Sequence, residues 1–261
     1  MVRGLQQLTI AAALLEKLCV VCCFFYEQAQ HPVISISVPQ LKVLKWADVY
    51  DPRSMHLGKM EHLRSLCTFY LVYGPESFAQ NHTCLMLMSR FKVVECLSLA
   101  LAYIPGINNH QYLMEDMTML PDTSFLHLIL NAKGHSFGAC SFHVLRLCPG
   151  IKRLMMDLSG HFFLEAQDEC PQDCICGQPS NWKTDELMLN GLHEVEIQAF
   201  RGSEHELVFV KRLLTWATAL KRMTVSFNRS VSESMSMELC QVFRNFCKPE
   251  IRMEFCVSED G

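Results

Sequence analysis

The sequence predicts an α/β fold in which short parallel strands follow one another as the repeated units of a solenoid. Three observations support this prediction. Hydrophobic residues make up 50% of the 261 residues, and the mean hydropathy is +0.13, as is typical of chains whose strands are buried against stacked neighbours. A pattern apolar-x-x-apolar-x-apolar recurs along the chain. Near the carboxyl end this pattern flanks an amphipathic helix, so that a strand, a helix and a similar strand follow in succession.

Eight copies of the apolar pattern predict eight strands. The copies begin at Leu15, Leu41, Leu63, Val94, Phe125, Ile151, Leu192 and Leu220. Successive starts differ by 26, 22, 31, 31, 26, 41 and 28 residues, close to the spacing of ~20–29 residues found in leucine-rich repeats. The expected architecture is therefore an irregular leucine-rich-repeat solenoid, with parallel strands on the concave face and helices or loops outside.

Further strands and helices are predicted between these copies. A copy of the pattern begins at Leu5, and Ile34 and Ile36 alternate with serines before the break at Pro39. Helices are predicted at residues 77–90, 107–120 and 141–147, and turns at residues 51–60 and 74–76.

Two S-x-x-E capping boxes predict helices in the carboxyl-terminal third. Ser203 with Glu206, and Ser230 with Glu233, place a hydroxyl and a carboxylate where each can bond a free amide of the first turn. Residues 251–257 then alternate as a half-exposed strand. Residues 168–182 are dense in Cys, Pro, Gln and Gly, as in an irregular loop. The predicted divisions are a repeat region at 1–165, a Cys/Pro-rich insertion at 166–183 and carboxyl-terminal repeats at 184–261.

Charge and cysteine content restrict the partners and the compartment. Lys and Arg number 23 against 27 Asp and Glu, a net charge of −4, so no nucleic-acid or membrane partner is expected. Fourteen cysteines are present, but Cys19, Cys67, Cys96, Cys240 and Cys256 lie in apolar runs, where a free cysteine behaves as a small hydrophobe. We therefore expect a reduced cytoplasmic or nuclear protein.

The amino-terminal sequence allows an alternative interpretation, in which the protein is secreted. Arg3 precedes an apolar stretch from Leu5 to Phe25, as in a signal peptide, but Glu16 and Lys17 interrupt it before the ~18 apolar residues that a membrane span needs. The alternative function is a secreted leucine-rich receptor fragment, in which the sequon at Asn81 would carry a glycan.

Candidate sites for chemistry are few. The sequence has no H-E-x-x-H motif, and GHSFG (134–138) lacks the lysine and the spacing of a P-loop, so neither an enzyme nor a bound cofactor is expected. Cys170, Cys174 and Cys176 could bind a metal with His161 or Cys148 as a fourth ligand. Their spacing lacks the paired C-x-x-C of zinc sites, and free thiols or a disulfide are the preferred interpretation.

Outward-facing strand positions are the predicted binding surface. Stacked repeats present these positions as one long surface, and their mixed charge fits a protein partner better than a polyanion. Trp182, in the polar loop, is predicted at the surface as a contact anchor, whereas Trp46 and Trp216 are predicted in the core. The candidate partner-binding residues are Lys42, Lys45, His127, Lys152, Trp182, Glu194, Glu196 and Lys221.

Residues 181–227 resemble the FBD region of plant F-box/leucine-rich-repeat proteins. The resemblance rests on LNGLHEVEI (189–197), RGSEHE (201–206), FVKRL (209–213) and ATALKRMTV (217–225). Upstream, VPQLKVLKW (38–46), YLMEDM (112–117), SFHVL (141–145) and CPxxCIC (170–176) resemble the grass branch of that family. The resemblance implies a target-recruiting subunit of a Skp-cullin-F-box ubiquitin ligase, with an FBD cap at the carboxyl end and an unidentified target protein.

The sequence departs from this family at its amino end. The family places a helical F-box before its repeats, whereas residues 1–40 predict strands. The resemblance therefore implies target binding without docking to the ligase core. A third interpretation is a truncated, non-functional remnant whose first strands lack a cap.

Overall fold

The computed structural model describes residues 4–24, 32–73, 78–103, 117–132, 134–160, 176 and 180–257. In these ranges the chain forms twelve strands and four α-helices. The strands are β1 (Gln7–Ala11), β2 (Lys17–Val21), β3 (Val33–Ser37), β4 (Val43–Ala47), β5 (Met55–Leu57), β6 (Ser65–Tyr73), β7 (Val93–Tyr103), β8 (Asp122–Asn131), β9 (Arg153–Asp157), β10 (Glu194–Phe200), β11 (Arg222–Phe227) and β12 (Arg252–Val257). The helices are α1 (Phe78–Met88), α2 (Gly138–Leu147), α3 (Glu204–Trp216) and α4 (Glu233–Phe246), with a 3-10 turn at Ser180–Lys183.

The strands form two parallel sheets. Nine strands make the large sheet in chain order, β2-β4-β6-β7-β8-β9-β10-β11-β12, and the small sheet has the order β1-β3-β5. Ile34 and Ile36 of the small sheet belong to the same cluster of buried side chains as Leu44 and Trp46 of the large sheet. The two sheets therefore share one hydrophobic core, and the chain is an α/β protein with parallel strands, as predicted.

A row of buried side chains crosses the whole large sheet. The register aligns Leu18, Leu44, Leu66, Leu97, Leu126, Leu154, Val195, Met223 and Met253. From Leu44 to Met223 no member is more than 2% exposed. Because adjacent strands lie ~4.8 Å apart, each of these side chains packs against the next one in the row. This packing is the physical reason that the apolar pattern returns in every unit.

All eight predicted strands are confirmed, with one correction of register. The fifth copy of the pattern begins at Thr123, not at Phe125, because Leu126 is the residue of β8 that pairs with Leu97. Phe125 therefore belongs to the opposite side of the sheet from Leu126.

Two features of the amino-terminal strands were not predicted. β1 pairs with β3 in the small sheet and does not lie beside β2 in the large one. β5 forms within residues 51–60, so the prediction of turns alone is wrong there. Met55 and Leu57 are buried on either side of the exposed His56, which is enough for a short strand pairing with β3.

Two of the three helices predicted before residue 150 are confirmed. The predicted range 77–90 contains the whole of α1. The predicted range 141–147 covers α2 except for its first turn, since α2 begins at Gly138. Residues 107–116 of the helix predicted at 107–120 lie outside the described residues, and the described residues 117–120 are not helical.

Helix α3 begins at its predicted capping box, whereas α4 does not. Ser203 Oγ accepts a hydrogen bond from Glu206 N at 3.4 Å, and Glu206 Oε2 accepts one from Ser203 N at 3.0 Å. The N-cap of α4 is Ser232. The capping box predicted from Ser230 is wrong, because Ser230 instead donates its amide to Asn228 Oδ1 in the preceding turn.

The segment between β9 and β10 returns to the core through Trp182. This residue is 1% exposed, and its ring centre lies 6.2 Å from that of Phe209 in α3. A Cβ added to Gly138 would lie 2.2 Å from the indole, so the ring packs directly on the backbone of α2. The prediction of Trp182 as a surface anchor is therefore wrong, while Trp46 and Trp216 are buried as predicted. β9 and β10 pair with each other across this segment.

Candidate functional site

Alternate residues of the large sheet face away from the core and form what we call the open face. Its first row aligns Val43, Ser65, Cys96, Phe125, Arg153, Glu194, Arg222 and Arg252. Its second row aligns Ser98, His127, Met155, Glu196, Thr224 and Glu254. Neighbouring members of a row sit on neighbouring strands, ~4.8 Å apart, so they can interact directly.

Charged side chains on β9, β10 and β11 pair across the strands. Arg153 Nη2 lies 3.0 Å from Glu196 Oε2, and Arg153 Nε lies 3.9 Å from Glu194 Oε2. Arg222 Nη2 lies 3.0 Å from the same oxygen of Glu194. We call these four residues the charged ladder. Exposed ion pairs contribute only about 0–1 kcal/mol each, so the main effect of the ladder is to hold its side chains in one arrangement.

Two neighbours hold the charged ladder further in place. The guanidinium of Arg153 lies 4.9 Å from the centre of the Phe125 ring, a cation–π contact. Gln198 Nε2 donates a hydrogen bond to Glu196 Oε1 at 2.8 Å. Side chains restrained in this way lose less conformational entropy when a partner binds.

His127 lies in the second row, between Ser98 and Met155. Its Nδ1 lies 3.3 Å from Ser98 Oγ. Its Nε2 is buried and has no hydrogen-bond partner among the described residues. Burial lowers the pKa of His127 below its ordinary value, and the charges of Asp157 and Glu196 oppose this shift. The ring is therefore mainly neutral at pH 7.

The cysteines lie elsewhere than predicted. None of the five that were assigned to apolar packing is buried: Cys19 and Cys256 are exposed, and Cys67, Cys96 and Cys240 are intermediate. Among the described residues, the buried thiols are Cys84, Cys140, Cys148 and Cys176. Partial burial raises the pKa of Cys67, and it raises the pKa of Cys96 to about 11, so both thiols are protonated at neutral pH.

Four of the predicted partner-binding residues lie on the side of the sheet that faces away from the core. They are Lys45, His127, Glu194 and Glu196. In the register His127 and Glu196 belong to the second row and Glu194 to the first, and Lys45 pairs with Cys67.

The other three predicted lysines do not share this face. Lys42, Lys152 and Lys221 immediately precede β4, β9 and β11, and their carbonyls accept hydrogen bonds from Ser65, His193 and Arg252 of the next units. Side chains alternate along a strand, so these lysines have the parity of the buried rows and lie at the amino edge of the sheet. Their assignment to the predicted surface is wrong for this reason.

Sequence reasoning missed the arginines of the open face. Arg153, Arg222 and Arg252 each stand one residue before a member of the buried row. A period of two applied to Leu154 and Met223 would have placed Arg153 and Arg222 on the outward side.

The cysteine cluster considered for metal binding is only partly described. Cys170, Cys174 and His161 lie outside the described residues. Cys176 is buried, and its Sγ accepts a hydrogen bond from Ser136 N at 3.2 Å. Burial raises the pKa of Cys148 to about 12. Within the described ranges, no group of three or more His, Cys, Asp and Glu side chains could hold a metal ion.

No helix of the described residues combines the length and the apolar character that a bilayer span needs. Asn81 is 5% exposed within α1, so the amide of this sequon is covered in the folded chain.

The open face holds the thiols of Cys67 and Cys96 and the imidazole of His127. The thiols of Cys67 and Cys96 are protonated, and His127 contacts neither by a hydrogen bond, so these residues do not form the nucleophile and base pair of covalent catalysis. Comparison of the chain with protein-family models, with curated proteins and with solved structures finds no match.

Proposed function

We propose that this chain is a protein-interaction module that binds a target protein on its open face. The observation that carries the proposal is the charged ladder. Its members Arg153, Glu194 and Arg222 remain 46%, 41% and 47% exposed although they are linked to one another. Charged groups that are held in place and yet accessible favour specific recognition of a partner more than they favour stability.

The proposed architecture is an irregular leucine-rich-repeat solenoid with an FBD cap at the carboxyl end. The large sheet supports this proposal because its strands follow chain order and each pairs with the next unit. That order is what stacked repeats require, since each unit completes the core of its neighbour. The outward rows then form one face of the sheet, on which Ser98 is only 6% exposed while the charged ladder is accessible.

We further propose a relation to the target-binding part of ubiquitin-ligase adaptors. The support is the resemblance of residues 181–227 to the FBD region, a segment that includes Glu194, Glu196 and Arg222 of the charged ladder. In this proposal the chain supplies binding and no catalysis, in a cytoplasmic or nuclear setting. Docking to the ligase core is not part of the proposal.

The charge order of the ladder favours a protein partner over a polyanion. Along the first row Arg153, Glu194 and Arg222 alternate in sign, and Glu196 lies beside them in the second row. A nucleic acid bound to the two arginines would also meet both glutamates, whose repulsion opposes binding. A folded protein or peptide with charges of both signs can match this order.

Site-specific photo-crosslinking tests the proposed surface. A photoreactive residue is introduced at Thr224, in the second row of the open face, and at the exposed Gln241 of α4 as the matched control. Illumination in a cell extract is expected to give a discrete crosslinked protein from position 224 alone. The same products from both positions, or none from position 224, would contradict the proposal.

Reversing the charge at Arg153 tests whether the charged ladder contributes to the crosslink from position 224. Arg153→Glu places three carboxylates together in the charged ladder, and it is expected to reduce the crosslink from position 224 at least severalfold. Circular dichroism of the variant serves as the control for folding. An undiminished crosslink in the folded variant would show that the ladder does not take part in binding.

A further inference from the structure

A second concave site lies away from the open face, at the carboxyl ends of β8, β9 and β10. It is a cleft of about 260 Å³, bounded by the segments after β8 and β9 and by the first turn of α3. Ligand sites of parallel sheets commonly lie at this edge, where the loops that follow the strands leave a crevice. The volume is slightly below the range of ~300–1,000 Å³ that is usual for drug-sized ligands. A compact ligand is therefore the appropriate size.

Asn131 places a buried amide in this cleft. It is the last residue of β8, it lines the cleft, and it is 6% exposed. Its side chain makes no hydrogen bond to any described residue. Neither Oδ1 nor Nδ2 of Asn131 is among the described polar atoms that are buried without a hydrogen bond, so the amide reaches the solvent of the cleft although most of the residue is covered. The cleft therefore presents a polar group whose donors and acceptor are free for a ligand.

Arg201 adds a positive charge at the same cleft. Its side chain is exposed and forms no ion pair within the described part of the chain. The carboxylate of Glu206 also lines the cleft, but Glu206 Oε2 is occupied by the amides of Arg201 and Ser203, at 3.1 and 3.0 Å. The guanidinium of Arg201 is thus left available for an anionic ligand.

The wall of the cleft is held firmly by stacked rings. The imidazole of His135 lies 5.7 Å from the ring centre of Tyr103 at an interplanar angle of 18°. His135 is 5% exposed, and Phe137 and Leu158 complete the apolar part of the wall. An apolar wall beside an amide and a guanidinium suits a ligand with a flat or aliphatic body and polar ends.

We propose that this cleft binds a compact carboxylate that also carries a hydrogen-bonding group. The carboxylate of the ligand forms an ion pair with Arg201, and its second polar group forms a hydrogen bond with the side-chain amide of Asn131. A single negative charge fits better than a phosphate dianion, because the buried carboxylate of Glu206 lies on the same wall and repels additional charge. The site does not depend on the open face or on the protein partner proposed above.

The probe for this site is 4-hydroxybenzoate, with benzoate and phenol as matched probes that each lack one polar group. Binding to the full chain is measured by titration calorimetry and by the shift of the unfolding temperature at constant ionic strength. We expect 4-hydroxybenzoate to bind about tenfold more tightly than either matched probe, as the loss of one good hydrogen-bonded contact implies. Equal responses to all three probes would overturn the proposal.

Substitutions of Arg201 and Asn131 test whether the ligand binds at this cleft or through non-specific charge effects. Arg201→Gln is expected to weaken 4-hydroxybenzoate binding about tenfold or more, whereas Arg229→Gln, at the neighbouring cleft beyond β11, is expected to leave it unchanged. Asn131→Leu is expected to abolish the preference for 4-hydroxybenzoate over benzoate, because it removes the amide that the phenolic hydroxyl would bond. Unchanged binding by Arg201→Gln, or equal losses in the Arg201 and Arg229 variants, would overturn the proposal.

Discussion

The contact between Gly138 and Trp182 depends on the absence of a single side chain. The indole occupies the space where a Cβ on Gly138 would stand, 2.2 Å away. Trp182 in turn lies against Phe209 and so joins the segment before β10 to both α2 and α3. One glycine thus allows three elements to meet.

Replacing this glycine is expected to destabilise the fold. Gly138→Ala should lower the free energy of unfolding by about 1–3 kcal/mol, because overpacking outweighs the better helix propensity of alanine. Gly150→Ala is the matched control, since the nearest atom to its added Cβ is 4.0 Å away. Urea unfolding followed by tryptophan fluorescence measures both variants. Equal midpoints for the two would contradict the packing described here.

The protonation of His127 is expected to couple stability to pH. Its pKa in the folded chain lies below the ordinary 6.5 because of burial, so the unfolded chain binds more protons once the pH falls below that value. Stability should therefore decrease as the pH drops below about 6.5. Part of this decrease belongs to His143, whose pKa is also lowered by burial.

The share of His127 can be measured by substitution. His127→Gln should reduce the slope of unfolding free energy against pH below pH 6.5, whereas His56→Gln, at an exposed position of β5, should leave it unchanged. Thermal unfolding at a series of pH values provides the measurement. A slope that is the same in wild type and in the His127 variant would show that this ring titrates normally in the folded chain.

At the scale of elements, the starts of α3 and α4 give a prediction about capping. Ser203→Ala and Ser232→Ala should each cost about 1 kcal/mol of unfolding free energy, because each removes the hydroxyl that accepts an amide of the first turn. Ser230→Ala should cost less, since this residue lies in the turn before α4. Chemical denaturation of the three variants tests this order. A larger loss for Ser230 than for Ser232 would place the start of α4 at the sequence-predicted capping box.

The strand elements explain where sequence reasoning succeeded and where it could not. Buried rows repeat the same spacing in every unit, so the pattern located all eight strands. In β8, however, Phe125 and Ile129 are apolar as well as the buried Leu126 and Leu128. With apolar residues on both sides of a strand, the pattern fits two registers equally well. β5 escaped prediction because three residues are too few to display a period.

At the scale of the whole molecule, the charged ladder predicts coupled effects of substitution. Arg153→Glu should lower stability by at most about 1 kcal/mol, as expected for a pair that is partly exposed. The double variant Arg153→Glu/Glu196→Arg restores an attractive pair and should recover most of that loss. Unfolding measurements of the single and double variants at low and high salt give the coupling energy. Additive effects at low salt would show that the two side chains act independently.

The surface was harder to derive from the sequence than the core. Core positions reveal themselves by apolar character, whereas an exposed lysine gives no sign of whether it lies on a face or at an edge. Lys152 and Arg153 are adjacent and equally polar, yet only Arg153 faces outward with the ladder. The cleft beside Asn131 could not be foreseen either, because it is assembled from segments after three different strands.

The register of the large sheet does not depend on the number of residues that connect its neighbouring strands. Leu44 and Leu66 are 22 residues apart, Leu154 and Val195 are 41 apart, and both pairs sit side by side. New sequence can therefore be inserted in the connections between strands without shifting the pairing of the buried row. A molecule built in this way can acquire a new recognition loop by simple lengthening, while its framework keeps the same alignment.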